Sequence, residues 1–107
     1  MNIDEREALV LCCLLWAAPG HADDLSDYED RVLSLLGDHD GAVVHRAIAD
    51  GEDGRPNEVQ IYRFGSRDAL ESYLSDPRRT AMSEERDRVI ARTQLFPIRL
   101  TSGGGAS

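Results

Sequence analysis

An α+β domain with the order strand, helix, strand, strand, helix, strand is predicted by three features of the sequence. Residues 9–18, LVLCCLLWAA, form an apolar run of strand length. Residues 58–82 pass from a strand pattern to a helix pattern without a connecting loop. Between them, AVVHRAIAD and an Asp/Gly/Pro-rich connection at 50–56 read as the first arm and loop of a hairpin. A chain of 107 residues, 41% hydrophobic, fits one compact domain. That domain is drawn over residues 1–100, and the Gly/Ser composition of 101–107 predicts a flexible tail.

The first strand is apolar on both faces, with Leu9, Leu11, Cys13 and Leu15 on one and Val10, Cys12, Leu14 and Trp16 on the other, so both need a cover. The run can be mistaken for a signal peptide, but a secretory leader starts positive, and here Asp4, Glu5 and Glu7 outnumber Arg6. It is also short of the roughly 20 apolar residues that span a bilayer. The segment is therefore expected to stay in a cytoplasmic protein with no membrane partner. Adjacent Cys12 and Cys13 point to opposite faces and are expected as free thiols.

Pro19 and Gly20 end this strand, and Asp23 or Asp24 can cap a helix with an apolar stripe of Leu25, Tyr28, Val32, Leu35 and Leu36 that stops near Gly37. A second strand opens at Gly41. In the third, Val59, Ile61 and Arg63 alternate with Gln60, Tyr62 and Phe64; Gly65 breaks it and Ser66 is a good N-cap. Ala69, Leu70, Tyr73 and Leu74 then recur at helical spacing up to Pro77. A short helix over about 83–91 turns Val89 and Ile90 inward, and a last strand runs from 93 to 100, where Pro97 predicts an edge position or a bulge.

This order is that of the ferredoxin-like split βαββαβ arrangement, with an antiparallel sheet. Two helices cover one face of such a sheet, and the doubly apolar first strand predicts that a second copy covers the other, giving a homodimer. The net charge of −8 argues against a phosphate-binding surface and hence against a nucleic-acid partner.

The stretch RFGSRDALESYLSDP, with the apolar strand and DYEDRVLSLLGDHDG before it, resembles the dimeric α/β-barrel superfamily over about residues 8–100. It looks most like the small stress-responsive and uncharacterised domains whose strand ends in Phe-Pro-Ser before a helix. Phe64, Ser66, Ala69, Tyr73, Asp76 and Pro77 match that pattern, and Gly65 stands where proline is usual. The resemblance implies a dimeric barrel. Relatives include cofactor-free monooxygenases of antibiotic biosynthesis, lactone isomerases, polyketide cyclases and haem enzymes, and fold does not choose among them.

With His45 placed roughly opposite Tyr62 in the hairpin, Val43, His45, Ala47, Gln60, Tyr62 and Phe64 share one face and Val44, Ile48, Val59 and Ile61 the other. The mixed first set suits a ligand-lined barrel interior, the second helix packing. His45 as proton acceptor and Tyr62 as donor to a developing oxyanion are the candidate catalytic pair. Gln60, Phe64, Trp16 and Phe96 are candidate ligand-binding residues, and Arg46 and Arg63 are expected on the opposite parity. Asp38-His39-Asp40 reads as a solvated turn rather than a metal site, and no metal is expected. No phosphate loop, nucleophile elbow or Cys-x-x-Cys is present, and His21, His39 and His45 lie in no haem motif, so no cofactor is expected. Two functions follow. One is a cofactor-independent enzyme that oxygenates, isomerises or cyclises a small aromatic or polyketide-like molecule. The other is a non-catalytic dimeric ligand-binding or accessory protein.

Overall fold

The protein is described from a computed structural model over residues 8–101. The elements are β1 (Leu9–Ala17), α1 (Ala22–Leu33), a 3-10 turn (Leu36–His39), β2 (Gly41–Ile48), a second 3-10 turn (Glu52–Gly54), β3 (Glu58–Phe64), α2 (Arg67–Leu74), α3 (Pro77–Thr80), α4 (Ser83–Val89) and β4 (Ile90–Pro97). The strands form one sheet in the order β2-β3-β1-β4, with every pair antiparallel. This is the ferredoxin-like βαββαβ arrangement that the element order predicts. The acidic flank at 1–7 and the tail beyond Thr101 lie outside the described residues.

The core lies between the helices and one face of the sheet. Leu11, Cys13 and Leu15 of β1 and Tyr62 and Phe64 of β3 pack with Leu25, Tyr28 and Val32 of α1, Leu70 and Tyr73 of α2 and Val89 of α4. Leu25 and Phe64 are fully buried, each stabilising the fold by roughly 2 kcal/mol. On the sheet's open face Val10, Cys12, Leu14 and Trp16 are only half-buried, and Phe96 is 40% exposed. The thiols of Cys12 and Cys13 are free, one toward each face.

Local signals act mostly where expected. Ser66 Oγ accepts from Ala69 N at 3.1 Å and caps α2. Pro97 ends β4, an edge strand. Several boundaries differ. α1 stops at Leu33, so Leu35 and Leu36 fall outside it, and β4 stops at Pro97, short of residue 100. His21, not Asp23 or Asp24, is the N-cap of α1, and the two aspartates sit in its first turn, where carboxylates favour the helix dipole. Asp76 accepts from Arg78 N and, with Pro77 at the first position, starts the separate turn α3. β4 begins at Ile90, three residues early, because its pairing starts at Ala17, beyond a bulge after Trp16.

The hairpin register departs from the expected one. Val43 faces Tyr62 as the parity requires, but the register shifts between Val43 and His45, so His45 faces Ile61 and Arg46 faces Gln60. One extra residue, Val44, turns the rest of β2 over. His45 and Ala47 therefore share the open face with Val59 and Ile61, while Gln60, Tyr62 and Phe64 lie beneath the helices.

Candidate functional site

Between the helices and the sheet is a cavity of about 480 Å³, of the size that holds a small organic molecule. Leu15, Leu70, Leu74, Ile90 and Leu95 supply apolar wall, Tyr62 and Tyr73 aromatic wall, and Glu29, Arg79 and Arg86 charge. Alternation of β1 and β3 sends Cys13, Leu15 and Tyr62 toward it. From α1, Glu29 reaches it because residue 29 lies one turn beyond Leu25, on the buried stripe with Tyr28 and Val32. Arg86 occupies the matching place on α4, between Met82 and Val89.

A chain of hydrogen bonds holds Glu29. The Gln60 amide donates to Glu29 Oε1 at 3.0 Å and to Glu58 Oε1 at 2.8 Å, and its own oxygen accepts from the Tyr62 hydroxyl. Glu58, fully buried, also accepts from Arg46 Nε at 2.8 Å, Arg46 Nη2 at 3.0 Å and Ser26 Oγ at 2.7 Å. Burial works to raise the Glu58 pKa, but the Arg46 hydrogen bonds, joined by those of Ser26 and Gln60, outweigh it and hold it below the usual carboxylate range. Among the described residues, Glu29 has no arginine bond. Burial lifts its pKa, the Gln60 bond opposes, and the nearby Glu58 charge adds to the rise. Among the described residues, Glu29 Oε2 makes no hydrogen bond. The result is a buried carboxylate in a largely apolar cavity, fixed at one oxygen and shifted toward neutral pH, which is the setting of a general base.

The thiol and the phenols of the cavity stay protonated at neutral pH. Burial pushes the Cys13 thiol up to about 11 and the Tyr73 phenol to about 12, and raises Tyr62 further still. Tyr62 spends its proton on Gln60, so it orients the network rather than facing a ligand as a free donor.

The expected pair is not brought together: His45 is exposed on the open face, whereas Tyr62 is buried beneath the helices. The Val44 bulge is the physical reason. Gln60 is fully buried, and Phe64 packs on Tyr62 and Tyr73 as core. Trp16 and Phe96 belong to the open face; Trp16 Nε1 donates to Gly54 O at 2.9 Å, and Arg92 lies 4.5 Å above the indole. Arg46 sits over Glu58 on the helix side and Arg63 is exposed on the open face, so the two do not share a parity. His39 is no solvated turn residue. Its side chain is 13% exposed and its ring nitrogens lie 2.6 Å from Ser72 Oγ and 2.7 Å from Asp76 Oδ2, a clamp between the first 3-10 turn and α2. Among the described residues no group of three His, Cys, Asp or Glu side chains is placed to hold a metal, and no helix is long and apolar enough to cross a membrane.

Sequence reasoning missed Glu29, Arg79 and Arg86. The signal for two of them was present as a charge on an apolar helical stripe: Glu29 among Leu25, Tyr28 and Val32, and Arg86 between Met82 and Val89. Arg79 lies on the turn that Asp76 and Pro77 start, which the periodicity does not reveal.

No family model and no curated protein matches the sequence. Solved structures do match. A protein from Pseudomonas aeruginosa is 20% identical with a TM-score of 0.69, over 89% of this chain and 96% of that one. SnoaB, a cofactor-independent oxygenase from Streptomyces nogalater, is 15% identical with a TM-score of 0.66, over 90% of this chain and 97% of that one. A NIPSNAP family protein of unknown function from Agrobacterium tumefaciens is 16% identical with a TM-score of 0.69, over 89% of each chain. At these identities the likeness is one of architecture, and on it the chain shares the ferredoxin-like fold of these proteins.

Proposed function

We propose that the protein is a cofactor-independent enzyme that removes a proton from a small aromatic or polyketide-like molecule in the cavity between helices and sheet, with Glu29 as the base. The observation that carries this reading is Glu29 itself, buried to 5% exposure, held at one oxygen by Gln60 and raised in pKa by burial. The enolate or phenolate left behind is the common intermediate of isomerisation, cyclisation and reaction with dioxygen. The shared fold with a cofactor-independent oxygenase agrees with this chemistry without selecting a substrate. Gln60, Tyr62 and Glu58 act as positioning residues. In the same reading, two copies appose their open faces, where Val10, Cys12, Leu14, Ile61 and Phe96 supply the apolar contact.

The test is exchange of the acidic C–H protons of 2-tetralone into D₂O under anaerobic conditions, followed by NMR. The protein accelerates exchange, the rate climbs with pH through a Glu29 pKa above the ordinary value of about 4.3, and Glu29→Gln lowers it by about 10²-fold or more. Exchange unaffected by Glu29→Gln removes the catalytic role and leaves a cavity that only binds.

A further inference from the structure

Arginines elsewhere in this chain show what a structural guanidinium looks like here. Arg46 is bonded to Glu58 and Asp30 and to the carbonyl of Ser26, and Arg78 to Asp76 and Asp38. Arg79 and Arg86, both half-buried on the cavity wall, are different. Among the described residues neither has a carboxylate within ion-pair distance, although the chain carries 20 acidic residues against 12 arginines. Arg79 Nη1 makes a 3.4 Å contact with Leu74 O, its guanidinium lies 5.1 Å over the Tyr73 ring, and among the described residues its buried Nε has no partner. Arg86 Nη2 makes a 3.3 Å contact with Thr93 Oγ1, itself on the cavity wall.

We infer that the ligand is an aromatic monocarboxylate whose carboxylate is held by Arg79 and Arg86 while its ring lies against the Tyr73, Leu70 and Leu95 wall. This rests on the cavity being the functional site, as proposed above. A half-buried guanidinium without a counter-ion gains little from its surroundings, and the buried Nε–H of Arg79 is costly until an acceptor arrives. Planar forked donors match a carboxylate, and two positive charges against the one carboxylate of Glu29 leave room for a monoanion. The cation–π contact with Tyr73 steadies Arg79 but does not satisfy its Nε.

The probes are 2-naphthoate and its uncharged isostere 2-naphthamide, titrated calorimetrically into the full chain. Naphthoate is expected to bind at least about tenfold more tightly, a ratio that one charged hydrogen bond supplies. Arg79→Gln and Arg86→Gln each cut that ratio and the double variant abolishes it. Naphthamide affinity falls far less than naphthoate affinity in all three, and an unchanged thermal melt reports an intact fold. Equal affinity for the two probes, a preference that survives the double variant, or binding of neither overturns the inference. The catalytic reading fails separately, through 2-tetralone exchange that persists in Glu29→Gln, because that probe carries no anion for the arginines.

Discussion

Glu29 is the one charged residue among those that α1 buries, and its energetics run against its position. Its folded pKa is raised, so the native state holds the proton more tightly than the unfolded chain does. Stability from this group is complete below the unfolded pKa and is lost as pH rises through the folded one. Glu29→Gln is therefore expected to raise the melting temperature at pH 7, with the gain vanishing near pH 4, as thermal melts across pH will show. Arg46→Ala works in the opposite sense. It leaves Glu58, fully buried, without its cation, and a loss of about 3 kcal/mol in chemical denaturation is expected. Glu58 and Gln60 share the buried parity of β3 with Tyr62 and Phe64, so their burial was legible from alternation once Tyr62 and Phe64 are read as core. Their hydrogen-bond partners were not, because Ser26 and Glu29 come from α1, 32 and 31 residues away.

Among the elements, the turn from β3 to α2 explains why glycine stands at position 65. Gly65 N donates to Asp40 O at 3.0 Å, a bond proline cannot make, and a Cβ on Gly65 would lie 1.8 Å from Asp40 Oδ2. Asp40 in turn has φ 54°, in the left-handed region where glycine is more at ease. Gly65→Ala should cost about 1 kcal/mol in the native chain and much less in an Asp40→Gly background, a coupling that a double-mutant cycle in urea will measure. The strand and helix boundaries around this turn were readable because Ser66 and the apolar spacing act locally. The turnover in β2 was not. Val43 and Val44 are both good strand residues, and a bulge that contains no glycine leaves the sequence pattern unmarked, so alternation alone puts His45 on the wrong face.

For the whole molecule, the helices cover one face of the sheet and leave the other with half-buried Val10, Cys12, Leu14 and Ile61 and exposed Phe96. Ile61→Asp is expected to turn a dimer into a monomer in light scattering while the circular dichroism stays unchanged, since Ile61 lies outside the buried core cluster. A monomeric native chain at micromolar concentration would contradict the apposed-face assembly. The two faces also separate the readings most directly, because the proposed ligand lies beneath the helices and not on the open face. Titration with 1-naphthol, followed by methyl and amide NMR, is predicted to perturb Leu15, Val32, Leu70, Ile90 and Leu95, the wall around Glu29. Perturbations confined to Cys12, His45, Ile61 and Phe96 would place the site on the other side of the sheet and contradict it.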